Sequence, residues 1–159
     1  MNIVFLTTGG TIDKVYFDAM SRFEVGETVV GKVLREGGVT FEFEVLPLMR
    51  KDSLELNDTD RAAIRAAVLA RPETRVVITH GTDTMADTAR ALAGIPGKTI
   101  VLTGALSPAR FQASDAVFNI GMAVAAVQTC PAGVWIAMSG HVFPGDAVRK
   151  NRERNRFEA

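Results

Sequence analysis

Two short stretches hold the residues best suited to chemistry. Thr8-Gly9-Gly10-Thr11-Ile12-Asp13 follows the apolar run Ile3-Val4-Phe5-Leu6, and His80-Gly81-Thr82-Asp83-Thr84 follows Val76-Val77-Ile78-Thr79. Each is a glycine-containing corner after a buried-strand pattern, with hydroxyls set beside backbone that can turn sharply and approach a ligand. A hydroxyl becomes a nucleophile only when a neighbouring group takes its proton. The residues available for this are Thr11, Thr82, Asp83, Tyr16 and Lys150, because neither histidine, His80 or His141, lies in a nucleophile elbow. A buried lysine oriented by an aspartate can serve as base to a threonine, although composition leaves open whether Lys150 reaches Asp83. A tight turn that merely needs glycine accounts for any one of the corners taken singly. The spacing matches neither G-x-G-x-x-G nor a Walker loop, so nucleotide binding has little support.

The elements that must position these corners follow from periodicity. Apolar runs predict strands at 3–6, 41–47, 76–79, 98–103 and 133–138, the second with Phe41, Phe43 and Val45 alternating with glutamates. Helical offsets predict helices within 26–36, from a cap at Asn57 or Asp58 to near Pro72, from Thr82-Asp83 to about 93, and over 114–129. Ile64, Val68 and Leu69 are expected on the buried side of the second helix, and Val117, Ile120, Ala123, Val124 and Val127 on that of the last. Residues 14–24, 50–56 and 139–145 read as loops, the first long and mobile. Strands alternating with helices predict an α/β fold: one domain over 1–159, a three-layer sandwich around a mostly parallel, doubly wound sheet. In such sheets ligands bind beyond the carboxyl ends of the strands, where Gly9-Gly10-Thr11, Gly81-Thr82-Asp83 and Gly104-Ala105 all fall.

Composition narrows the function classes. The 159 residues carry 18 basic and 18 acidic side chains, with 47% hydrophobic and 23% charged residues, typical of a globular protein. Net neutrality argues against nucleic acid or a membrane surface as partner. One cysteine, Cys130, excludes an intrachain disulfide and a cysteine metal cluster, and is expected to be buried. The opening residues enter a strand without a basic, apolar leader, so a cytoplasmic address is expected. Arg149 to Arg156 contains five basic residues and one acid, which reads as a solvated tail, a subunit contact or the carrier of an active-site lysine.

Taken together, Thr8-Gly9-Gly10-Thr11-Ile12 and His80-Gly81-Thr82-Asp83-Thr84-Met85 resemble the paired signature of the bacterial-type L-asparaginase/glutaminase family. The resemblance continues through Asp52-Ser53, Gly104-Ala105 with Pro108, Ser114-Asp115 with Asn119, and Lys150. It implies Thr11 as the nucleophile that attacks a side-chain amide and forms an acyl-enzyme. Thr82, Asp83 and Lys150 would then be the set that orients water and moves protons. Ser53 and Asp83 would hold the substrate's α-carboxylate and α-amino groups, with Asp52 and Gly81 in the same substrate-binding surface. Gly10 and backbone N–H groups near Thr82 would stabilise the oxyanion.

The implied reaction turns L-asparagine into aspartate and ammonia with no metal or organic cofactor. The implied assembly is a dimer or larger homo-oligomer. Glutamine hydrolysis, amide hydrolysis on misacylated tRNA, and amino-acid binding without turnover are the alternatives. Two departures stand out. Typical members continue into a smaller C-terminal domain where this sequence stops soon after Lys150, so a short single-domain form is expected, a truncated sequence being the alternative. The loop tyrosine that precedes a Val-Gly pair is replaced by Phe23, which leaves Tyr16 for that role. His80 is expected to be a hydrogen-bonding residue behind the pocket, Asp115 and Asn119 to be helix-end or interface groups, Thr8 to support its turn, and Asp13 and Lys14 to tune the loop or be solvated.

Overall fold

The computed structural model describes residues 1–17 and 22–159. Its centre is a six-stranded sheet made of β1 (Asn2–Gly9), β4 (Glu42–Lys51), β5 (Arg75–Thr79), β6 (Thr99–Thr103), β7 (Gly133–Met138) and β8 (His141–Pro144) in the order β4-β1-β5-β6-β7-β8. The pairings from β4 to β7 are parallel, and β8 returns antiparallel to β7. Four helices cover it: α1 (Val30–Glu36), α2 (Asp58–Ala70), α3 (Met85–Ala91) and α4 (Ala116–Thr129).

Alternation along the strands decides which helix covers which face. Val4 and Leu6 of β1, with Val76 and Ile78 of β5, pack with Ile64 and Val68 of α2 and Met85, Ala89 and Leu92 at α3. Ile3 and Phe5, with Val77 and Val101, pack with Val30 and Leu34 of α1 and Ala116, Ile120 and Ala123 of α4. Adjacent residues therefore serve opposite layers, and a central parallel strand reads as an unbroken apolar run. The result is the expected three-layer, doubly wound α/β sandwich. The chain leaves β1 toward β4 on one side and then crosses to β5 on the other. The order thus reverses between β1 and β5, the position where doubly wound sheets open a crevice.

Several local expectations are corrected. Within the stretch 14–24, expected as a loop, β2 (Lys14–Phe17) and β3 (Arg22–Val25) pair antiparallel as the arms of a hairpin; residues 18–21 of that expectation lie outside the described residues. The 139–145 loop contains β8. Its entry, Ser139-Gly140, has positive φ at both residues (53° and 85°), the geometry a two-residue hairpin turn requires. The basic stretch forms a second hairpin, β9 (Arg149–Asn151) with β10 (Arg156–Glu158), anchored by the buried Phe157. The helix expected from Thr82-Asp83 starts only at Met85, which leaves those two residues in the corner itself.

Leu69 and Val117, both expected in the core, are 53% and 61% exposed. Each sits at the rim of its helix's apolar stripe, where a helical offset alone does not decide the side. Cys130 is half-buried at the end of α4 rather than buried. Among the described residues, no helix is long and apolar enough to cross a membrane.

Candidate active site

The two glycine corners lie against each other. Gly10 follows β1 with φ 86°, and a Cβ built on it would stand 2.5 Å from both the N and the Cα of Gly81. A Cβ on Gly81 would stand 2.5 Å from Cβ and 2.6 Å from Oγ of Ser53. Real side chains do not approach so closely, so only glycine permits the first corner, the second corner and the Ser53 turn to touch. Ser53 is buried at the head of a 3-10 turn, Ser53–Glu55, and Thr84 Oγ donates to its carbonyl at 2.8 Å.

Thr11 opens the 3-10 turn Thr11–Asp13 directly after Gly10 and is half-buried, with no side-chain hydrogen bond to another described residue. Thr8 is fully buried and donates to Thr79 O at 2.9 Å, which ties β1 to β5 and leaves its hydroxyl committed to the fold. The N–H of Gly10 donates to Lys51 O at 2.9 Å, so the expected oxyanion contribution from that group is corrected. Its place in the site rests on close approach instead.

On the second corner, Lys150 Nζ stands 2.7 Å from Thr82 Oγ1 and 2.7 Å from Asp83 Oδ1. Thr82 is buried and the lysine nearly so, whereas the Asp83 side chain is about a third exposed. An amine held between a hydroxyl and a carboxylate can pass a proton to or from that hydroxyl while the carboxylate orients it. The reach from Lys150 to Asp83, left open by composition, is made by β9 lying alongside the corner.

Asp52 caps the Ser53 turn by accepting from Leu54 N at 3.2 Å, while its own N–H donates to Glu55 Oε2 at 3.3 Å. Lys14 Nζ lies 2.8 Å from its carboxylate. Burial pushes the Asp52 carboxyl up, but hydrogen bonds from Lys14 and the Leu54 backbone, together with the Lys14 charge, outweigh it and hold the group below its ordinary value. Both oxygens are thus engaged within the chain, and Asp52 shapes the turn that presents Ser53.

His80 is fully buried, and burial pushes its imidazole down to about 4, so it is neutral at pH 7. With Nδ1 donating to Gly81 O at 2.6 Å, Nε2 accepts from the Thr88 hydroxyl at 2.8 Å. The ring thereby braces the second corner from behind. Tyr16, on β2, is 53% exposed and meets Phe23 edge-on at 5.5 Å; its hydroxyl has no hydrogen bond to a described residue.

Three groups matter more than the sequence implied. Asp13, expected to be solvated or to tune the loop, is 1% exposed and accepts from Val29 N at 2.9 Å; burial raises its carboxyl to about 6 against that hydrogen bond and the nearby Arg110 charge. Asn119 is fully buried: it donates to Gly104 O and to Asp115, and accepts from Ser139 N. Asp115 in turn accepts from the N–H groups of Leu106 and Ser107, so the pair fixes the loop after β6. Arg110 donates to two carbonyls beside the Thr11 turn. The helix pattern around Asn119 offered a signal, since a lone amide inside an apolar helix face must be satisfied. Nothing local marks Arg110. Among the described residues, no three His, Cys, Asp or Glu side chains gather to hold a metal ion.

Comparisons with known proteins point to one family. Residues 2–159 match the family model described as asparaginase, N-terminal. The L-asparaginase of Thermococcus kodakarensis is 30% identical over 94% of this chain and 48% of its own length. A component of the glutamyl-tRNA(Gln) amidotransferase of Aeropyrum pernix is 35% identical over 80% of this chain and 30% of its own. Among solved structures, the Thermococcus kodakarensis L-asparaginase superposes with a TM-score of 0.85 at 28% identity, over 100% of this chain and 51% of that one. L-asparaginase I from Vibrio cholerae gives 0.86 at 25% identity, over 99% and 50%. The chain spans about half the length of the L-asparaginases it matches. From the contact of its two corners to the extent of the match, the chain belongs to the asparaginase family, in the part its model describes as N-terminal.

Proposed function

We propose that the chain carries the chemical machinery of an L-asparagine amidohydrolase. Thr11 Oγ attacks the side-chain amide carbon, the amide nitrogen takes a proton and leaves as ammonia, and water then releases aspartate from the Thr11 ester. Thr82, Asp83 and Lys150 form the relay that aligns the water and moves its proton. Ser53 and Asp83 bind the α-carboxylate and α-amino groups, with Gly81 setting their spacing. The observation that carries this reading is Lys150 Nζ at 2.7 Å from both Thr82 and Asp83, on a corner packed against the glycine that precedes Thr11.

Tyr16 is proposed as the group that takes the Thr11 proton, on the strength of its place three residues beyond the Thr11 turn, on the hairpin that follows it. A homo-oligomer is part of the same proposal, supported by the exposed Val117 and Phe118 on α4. So is a cytoplasmic address: a Campylobacter jejuni neighbour is described as a probable cytoplasmic L-asparaginase, while a Haemophilus influenzae relative is described as probably periplasmic.

The test is ammonia release from L-asparagine and L-glutamine by wild type, Thr11→Ala and Lys150→Met. Loss in both variants supports the assignment, and equal release by wild type and Thr11→Ala refutes it. Glutamine as substrate differs by one methylene, a discrimination of about 1–3 kcal/mol that pocket shape sets. Amide hydrolysis on aminoacyl-tRNA is a second reading, favoured by the amidotransferase relative and by the basic β9–β10 hairpin. An amino-acid sensor would show ligand-dependent thermal stabilisation without turnover.

A further inference from the structure

The β2–β3 hairpin has only two strands, and a two-stranded hairpin has little stability of its own in water. Its position relative to the Thr11 turn, which it directly follows, must therefore come from anchors outside it. Where the hairpin opens, the carbonyl of Asp13, just before β2, accepts from the N–H of Gly26, just after β3, at 2.8 Å. The same carbonyl accepts from Arg110 Nη1 at 3.2 Å, and Arg110 Nη2 donates at 2.8 Å to Glu27 O on the far side of the hairpin. One guanidinium thus grips both ends.

The adjacent residues complete the attachment. Ala109 N donates to Ile12 O at 3.0 Å, inside the Thr11 turn. Phe111 meets Phe23 edge-on at 5.7 Å, and Phe23 meets Tyr16 in the same way at 5.5 Å. Residues 109–111 therefore touch the nucleophile turn, both ends of the hairpin and its aromatic face. Lys14–Asp52 is a further anchor, at the side of the Ser53 turn.

We propose that Arg110 is a positioning residue, which staples the hairpin bearing Tyr16 to the loop after β6 and so sets the distance between Tyr16 and Thr11. The proposal rests on the Thr11 chemistry above only for its kinetic consequence. The planar fork of arginine holds two carbonyls in a fixed geometry, whereas a lysine ammonium is a point donor on a flexible stem and holds them less rigidly. Arg110 is exposed, so its replacement leaves the core intact.

The experiment compares wild type, Arg110→Gln and Arg110→Lys by two readouts. The first needs no activity. Tyr16 is the only tyrosine, so its ring resonances report the hairpin without ambiguity, and amide exchange at Gly26 reports the closure of its ends. In Arg110→Gln the ring signals are expected to move toward those of a free tyrosine and Gly26 to exchange at least tenfold faster, with Arg110→Lys in between. The second readout is kinetic: kcat for asparagine is expected to fall about tenfold in Arg110→Gln with KM changed less than twofold, and to be partly restored in Arg110→Lys. Unchanged Tyr16 signals and Gly26 exchange would overturn the proposal, as would a moved hairpin with unchanged kcat. A wild type without ammonia release would count against the amidohydrolase reading alone, and the spectroscopic arm would still decide whether Arg110 holds the hairpin.

Discussion

Replacing Asp13 by asparagine tests the energetics of the Thr11 turn. Asp13 is 1% exposed, and burial raises its carboxyl from 3.8 to about 6. Between those values the folded chain holds a proton that the unfolded chain has lost. Stability therefore falls as pH rises through this window, and the cost is fully present above about pH 6. A shift of about two units at 1.36 kcal/mol each corresponds to about 3 kcal/mol. Asparagine keeps the oxygen that accepts from Val29 and carries no charge at any pH. Asp13→Asn is thus expected to be more stable than wild type at pH 7.5 by about 2–3 kcal/mol, or roughly 4–12 °C in Tm for a chain this size. At pH 4.5 the advantage shrinks to about 1 kcal/mol.

The measurement is urea unfolding of both proteins at pH 4.5, 5.5, 6.5 and 7.5, followed by circular dichroism. Carboxylates held low by their partners, such as Asp52 and Glu73, titrate in both proteins and cancel in the difference. A difference that stays constant across this range, or that grows toward acid, would refute the claim that Asp13 is buried at a cost.

Two further outcomes follow from contacts in the site. Gly81→Ala places a methyl on Ser53, so the Ser53 turn must move; asparagine binding is expected to weaken at least tenfold, read by isothermal titration with the Thr11→Ala background preventing turnover. Asn119→Ala leaves Gly104 O and Ser139 N without their buried partner; at about 1–3 kcal/mol per orphaned group the loss is on the order of 3 kcal/mol, and a Tm drop of less than 3 °C would contradict it.

What was legible in the sequence was whatever local pattern controls. Val76 to Thr79 and Thr99 to Thr103 are apolar runs closed by glycine corners, and the cap expected at Asn57 or Asp58 announces α2, where the structure has Asn57. The β2–β3 hairpin was missed because Lys14-Val15-Tyr16-Phe17 has no clear period and the alternation of Arg22-Phe23-Glu24-Val25 lasts only four residues. Half-exposed strands that pair only with each other need no core-facing period. β8 was hidden by Pro144, which an edge strand tolerates. Leu69 and Val117 show the opposite limit: the helical period was right, but the width of the buried stripe depends on what packs across it. The contacts that make the site, Gly10 on Gly81 and Lys150 on Asp83, join residues far apart in the chain. They entered the reading through resemblance, since no window of sequence contains them. Arg110 had neither pattern nor resemblance to mark it.

The path that brings Lys150 to Asp83 has a consequence for the order of assembly. β8 carries the chain away from the corners, and the chain then returns past α3: Gly145 packs against Ala89, Arg90 donates to Val148 O, and Lys150 meets Thr82, 68 residues earlier in the chain. Thr11 is made well before Lys150, and long-range closures of this kind come after local structure. An incompletely folded or still-emerging chain can therefore display the threonine without the relay. On the proposed chemistry, activity switches on only when the β9–β10 hairpin docks, which makes ammonia release a report on that closure.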